Sequence, residues 1–350
     1  MEPPASPPPP PQQHPPRPDG APAPIDRTPR YADPAAEAPA VDLDAGGIVV
    51  DGVARAFGSV HAVRDMTFHA RPGAVTALIG PNGAGKTTLL LMLASLLAPD
   101  TGSIRVAHAD PIAEPRAVRR SMGWMPDVLG TWRTLTPRQI LRTVGRLHGM
   151  PRAAAVERAE ELLADADLLE LAGRPSRVLS RGQQQRLGLA RALVYRPSVL
   201  LLDDPAAGLD PTSRVALRQR LRAFAAAGGT VLVSSHDLSE LDEMADAAVF
   251  VEAGSVVESE RLAVARQARR EWRIRAIDGS ALSYRLAHLG VAFDRVRIDG
   301  AHATVALDSD EQAAALLADL VAGGVRITHF APAVGDIERT YLGLAGGGAR

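Results

Sequence analysis

Gly80-Pro81-Asn82-Gly83-Ala84-Gly85-Lys86-Thr87-Thr88 is the stretch on which the fold turns. It follows a short apolar run, 75–79, and opens an apolar run with helical spacing, 86–97, so the order is strand, glycine-rich loop, helix. In that setting G-x-x-x-x-G-K-[ST] is a phosphate cradle. The glycines let backbone N–H groups turn inward around phosphate oxygens, and the helix N-terminus adds partial positive charge. Lys86 is then placed for the β- and γ-phosphates of a nucleotide, and the Thr87 hydroxyl for Mg2+. Of the 39 basic residues, 38 are arginine and one is lysine, Lys86. A composition biased toward arginine accounts for the other positions, but not for a lone ammonium where a compact point charge is wanted.

On the N-terminal side, Ile48–Phe57 and residues 61–70 read as an antiparallel pair of strands about Gly58-Ser59. Residues 115–178 read as mostly helical, with Pro137 at a helix start and an Ala/Glu/Leu-dense helix over 153–171. The runs 199–202 and 230–234 read as buried parallel strands, and 247–252 closes the set. Strands alternating with helices predict a wound sheet. Beyond Gly254 the order β-α-β-β-α-β predicts a ferredoxin-like α+β domain, with Ser309 and Gln312 as a capping box at its second helix. A last short helix is expected over 336–344. The expected division is a disordered Pro-rich tail over 1–44, a nucleotide-binding domain over 45–255, a linker over 256–270 and an accessory domain over 271–345.

The 350-residue length allows two domains and a tail. Residues 1–44 hold 15 of the 28 prolines and few bulky apolar residues, too little buried surface to offset ordering entropy. A net charge of −1 gives no general attraction to nucleic acid, and the absence of cysteine excludes disulfides and thiolate chemistry. No run approaches the ~18 apolar residues of a membrane helix, and no leader is evident. A cytoplasmic protein, soluble by itself, is expected.

Leu179-Ser180-Arg181-Gly182-Gln183 precedes a helix that begins Gln184-Gln185-Arg186 and leads to the strand ending in Asp203-Asp204-Pro205. In that place the pentapeptide resembles the signature of ABC ATPases, and the resemblance covers residues 48 to 255. It implies an α/β P-loop ABC core: a wound, mainly parallel sheet with an antiparallel β subdomain and a helical subdomain. It further implies that Asp203 holds Mg2+, that Asp204 stands at the catalytic carboxylate, that Gly208-Leu209-Asp210 is the D-loop, and that His236 contacts the γ-phosphate. Phe57 corresponds to the aromatic that stacks on adenine. Residues 80–88, Ser180, Arg181, Gly182, Gln183 and Asp210 are the remaining nucleotide contacts. In such ATPases the site closes only when the P-loop of one subunit meets the signature of another, so two copies with two ATP are implied.

Three positions depart from the family's commonest residues. Asp127 stands where glutamine is usual, Arg181 replaces a glycine, and Asp204 is one methylene shorter than glutamate. Asp127 can still serve Mg2+ through water, but a shorter Asp204 implies slow hydrolysis, since a base must sit within hydrogen-bond reach of its proton. The C-terminal appendage and the segment Asp336-Ile337-Glu338-Arg339-Thr340-Tyr341-Leu342 resemble ATPases of the ABC-2 exporter group. That resemblance implies a separate transmembrane permease and a place on the inner face of the cell membrane. Apolar residues Val128, Leu129, Trp132 and Leu135 suit docking to the permease and suit internal packing equally. Two rival readings remain: a soluble ABC ATPase apart from transport, and an ATP-binding regulator with weak or no hydrolysis. Co-purification with a membrane protein separates the first, and steady-state turnover the second.

Overall fold

A computed structural model describes residues 46–127, 130, 132–257, 270–289 and 295–347 of the chain. The tail expected over 1–44 and most of the linker expected over 256–270 lie outside the described residues, as do Val128 and Leu129.

Among the described residues the larger sheet has nine strands in the order β4-β1-β2-β9-β8-β3-β7-β6-β5. β1 (Ile48–Phe57), β2 (Val60–Ala70) and β4 (Thr101–Val106) are antiparallel. β3 (Val75–Ile79), β5 (Met122–Met125), β6 (Val199–Asp203), β7 (Thr230–Ser234) and β8 (Ala247–Glu252) run parallel, and the short β9 (Ser255–Val256) joins the two parts. Residues 75–79 and 199–202 are buried throughout, as expected of strands covered on both faces.

One face carries α1 (Lys86–Leu93), whose Leu89, Leu90, Met92 and Leu93 are fully buried at about 1.5–3 kcal/mol each. The opposite face carries α6 (Pro211–Ala226) and α7 (Leu238–Met244), with Leu217, Leu221 and Leu241 in the core. Helices α2 (Pro115–Ser121), α3 (Pro137–Leu147), α4 (Arg152–Asp165) and α5 (Arg181–Ala192) complete this part. α3, α4 and α5 enclose a separate core about Ile140, Leu141, Leu162, Leu163 and Leu187.

A second, antiparallel sheet has the order β11-β12-β10-β13, from β10 (Arg270–Ala276), β11 (Val296–Asp299), β12 (His302–Leu307) and β13 (Ile327–Pro332). With α8 (Gly279–His288) and α9 (Asp310–Ala322) on its Ile274 face, this is the ferredoxin-like arrangement. The last helix, α10 (Asp336–Gly347), returns to the larger part: Ile337, Tyr341 and Leu344 pack into the α6/α7 core, and both Asp242 carboxylate oxygens accept its first N–H groups, from Ile337 at 2.7 Å and Glu338 at 3.1 Å.

Four local expectations need correction. Strand β4 was not anticipated, and β5 lies inside a region expected to be helical. The first helix stops at Leu93 rather than residue 97: Ser95 takes φ +56°, and Leu96 N–H bonds back to Leu91 O at 3.0 Å, the closure of a Schellman cap. The Ser309 cap is one-sided, because Gln312 Oε1 accepts from Asp308 N–H instead of Ser309 N–H. Full capping boxes occur instead at Thr136/Gln139 and Ser180/Gln183.

Candidate active site

β3 and β6 flank β7 in the parallel sheet, so their C-terminal ends open side by side, the crevice where wound sheets bind ligands. The loop after β3 is held down by backbone contact: a Cβ on Gly80 would run into the Val251 carbonyl, and one on Gly85, at φ +95°, into the Ala62 carbonyl. No other residue fits. Above the loop is a cleft of about 420 Å³ lined by Gly80, Asn82, Gly83, Gly85, Lys86, Thr87 and Thr88 on one side. Asp127, Asp203, Asp204, Ser234, Ser235 and His236 line the other side, and Val60, His61 and Ala62 close one end.

Lys86 folds back over its own loop, donating to Gly80 O at 2.6 Å and Pro81 O at 3.0 Å. Burial pushes its pKa down, against the pull of Asp203. Burial pushes the Asp203 carboxyl up; a hydrogen bond from the Ser234 hydroxyl opposes this, while the Asp127 and Asp204 charges add to it. Three carboxylates, Asp127, Asp203 and Asp204, thus line one cleft together with Lys86.

Asp204 begins the turn after β6 with φ +51°, unusual for a residue other than glycine. Its N–H donates to Ser234 O at 2.9 Å, and its carbonyl accepts from Gln185 Nε2 at 3.2 Å. Oδ2 sits 2.8 Å from His236 Nδ1, and the Ser235 hydroxyl donates to Oδ1 at 3.4 Å. The Asp204 side chain is 17% exposed and that of His236 75%, so the carboxylate is turned inward and the imidazole covers it from the open side.

Among the described residues no group of three or more His, Asp or Glu side chains could hold a metal ion by itself. Thr87, Asp203 and Asp127 nevertheless fit Mg2+: they are hard oxygen donors on one cleft, two of them carboxylates, and Mg2+ commonly takes few carboxylates and leaves positions to water and phosphate.

Residues 63–207 match the family model for ABC transporter. The daunorubicin/doxorubicin resistance ATP-binding protein DrrA of Streptomyces peucetius is 32% identical over 305 residues, spanning 85% of this chain and 92% of that protein. The chain belongs to the ABC transporter ATP-binding family. The daunorubicin resistance ATP-binding protein DrrA3 of Streptomyces coeruleorubidus is 39% identical over 210 residues, or 60% of this ABC chain, which spans just under two thirds, 66%, of that relative. A solved ATP-binding subunit of an ABC transporter superposes with a TM-score of 0.57 at 27% identity, covering 60% of this chain and 87% of the other.

In this ABC chain not every expected site residue reaches the cleft. Phe57 is 48% exposed at the end of β1, under the Arg55 guanidinium at 4.9 Å, and is not part of the lining. Pro81 contributes its carbonyl to Lys86, and Ala84 is buried beneath the loop. Ser180, Arg181, Gly182 and Gln183 form the first turn of α5 away from the cleft, with Arg181 lying along Gly208. Asp210 caps α6, accepting from Ser213 N–H at 3.0 Å and from its hydroxyl at 2.6 Å. Sequence reasoning missed His61, Ser234 and Ser235 of the lining, and Gln185, which lies outside it against the Asp204 carbonyl. The two serines, set between a buried strand and His236, were a usable signal; Gln185 was not, because its orientation depends on packing.

Proposed function

We propose that this ABC chain binds ATP with Mg2+ and hydrolyses it, and that two copies close around two nucleotides to drive export through a separate membrane permease. Its place is then at the inner face of the cell membrane. The observation that carries this reading is one cleft with Lys86 and the phosphate loop on one wall and Asp203 with the Asp204–His236 pair on the other. Export is assigned because both relatives carry drug resistance in their names. Dimerisation is assigned because the chain has one phosphate loop and one signature, which face different ways.

Lys86 exchanges two neutral carbonyl acceptors for phosphate oxygens, and the gain comes from charge-assisted bonds. Thr87, Asp203 and Asp127 would hold Mg2+, which would supply charge neutralisation to the triphosphate. Asp204 orients a water toward the γ-phosphorus. Water adds, the bond to the bridging oxygen breaks, and ADP, phosphate and a proton result. His236 holds the carboxylate in place; one methylene less than glutamate leaves a longer reach to water and a slow rate.

The test is phosphate release by the purified chain, alone and with the membrane protein that co-purifies with it. Mg2+-dependent turnover with such a partner is expected. Mg·ATP binding without turnover in either setting would select the regulatory reading instead. Turnover with no membrane partner would select a soluble ATPase.

A further inference from the structure

Gln185 is a polar residue that the proposed chemistry does not use. It is 4% exposed, on the inner side of α5, the helix whose first turn carries Ser180 and Gly182. Its Nε2 donates to the carbonyl of Asp204, while its Oε1 is buried without a hydrogen-bond partner. A buried acceptor without a partner is a cost to the fold, and an apolar residue of the same shape would avoid it. The amide therefore does something there that packing does not require.

What it holds is the strained peptide of the proposed base. Asp204 sits at φ +51°, clamped by Ser234 O on its N–H side and Gln185 on its carbonyl side. Ala207 N–H also reaches that carbonyl, at 3.2 Å, but it belongs to the same turn and moves with it. Gln185 is the link to that carbonyl that comes from outside the turn, from α5. Beside it lies a cavity of about 230 Å³ lined by Leu189, Pro205 and Leu209, which leaves the turn room to shift if the link is lost.

We propose that Gln185 is a positioning residue: it fastens the signature helix to the backbone of Asp204 and so sets the aim of the carboxylate. The inference rests on the ATPase reading above. In a closed pair the Ser180 end of α5 meets the partner subunit's nucleotide, so this bond makes the base of one site respond to ATP in the other. A displacement of about 1 Å at a reacting group can cost up to 10²-fold in rate.

The experiment compares wild type, Gln185→Met, Gln185→Glu, Asp204→Asn and the Gln185→Met/Asp204→Asn double variant, each as the full chain together with the membrane protein that co-purifies with it. Turnover, Mg·ATP affinity and thermal midpoint are measured for each. Gln185→Met, similar in shape but without a donor, should lower kcat about tenfold or more with Mg·ATP affinity within about twofold. Gln185→Glu should be impaired at neutral pH, where a carboxylate repels the carbonyl, and recover as pH falls and the protonated acid donates again. In the double variant the Gln185→Met effect should vanish, because no base remains to be aimed. A structural role alone would lower affinity and midpoint together, add to Asp204→Asn, and show no rescue by acid in Gln185→Glu; that pattern overturns the proposal. So does unchanged kcat in Gln185→Met beside an active wild type. An inactive wild type overturns the ATPase reading, and this inference with it.

Discussion

Lys86 rests with its ammonium on two carbonyls of its own loop, half removed from water. It is the chain's one lysine, so no neighbouring ammonium can take its place. Lys86→Ala should weaken Mg·ATP binding by about tenfold to a hundredfold in calorimetric titration, the range for losing charged hydrogen bonds. The helix end at Ser95 and the close approaches of Gly80 to the Val251 carbonyl and of Gly85 to the Ala62 carbonyl do not involve the Lys86 side chain, so the fold should persist. Asp204 is the other decisive residue. Asp204→Asn keeps the shape, removes the acceptor charge facing His236, and should cut phosphate release by about 100-fold, within the usual span for a lost general base.

At the scale of elements, two attachments can be tested. α10 is anchored by Asp242 of α7, whose carboxylate caps the first turn much as an N-cap residue would. Asp242→Ala should cost about 1 kcal/mol and open the chain near Gly335 to limited proteolysis, while ATP affinity stays unchanged. The end of α3 carries His148, whose ring stacks on Tyr195 at 3.5 Å between centroids. Burial holds its pKa below the ordinary 6.5. The unfolded chain therefore takes up this proton first, so the contribution is complete above pH 6.5 and is lost as pH falls from there through the folded value. His148→Phe keeps an aromatic stack without the titration, and its thermal midpoint should fall less than that of wild type on acidification below pH 6.5. An equal fall in both proteins would show that other groups govern the acid limb.

For the whole molecule, the proposed closure predicts a nucleotide-linked change of mass. Two phosphate loops and two signatures gripping two triphosphates should hold a pair together until the γ-phosphate leaves. Asp204→Asn slows that departure, so with Mg·ATP it should accumulate as a dimer by light scattering, and as a monomer with ADP. A monomer under both conditions would leave the Asp204 geometry intact and remove the paired arrangement. The C-terminal sheet has its own core about Ile274, Leu282 and Leu320, and α10, which follows it, packs into the α6/α7 core.

Much of this was legible in the chain itself. Residues 80–88 read as a phosphate loop because a tight backbone cradle and a point charge demand those residue types in that order, and the close approaches of Gly80 and Gly85 to neighbouring carbonyls agree with such a cradle. Residues 199–202 declared a buried strand by unbroken apolarity, and the β-α-β-β-α-β order was visible from alternating periods. Strands β4 and β5 were not, because TGSIRV and MGWM are short and carry glycines, and only pairing with β1 and β6 makes them strands. In Gln184-Gln185-Arg186 all three residues are polar and nothing local marks one as inward-facing, yet packing turns Gln185 onto the Asp204 carbonyl. Local sequence determines what a loop or strand can be, since propensity and sterics act over a few residues. Which face of a helix meets which turn is decided by long-range packing, and the aim of Asp204 belongs to that second kind.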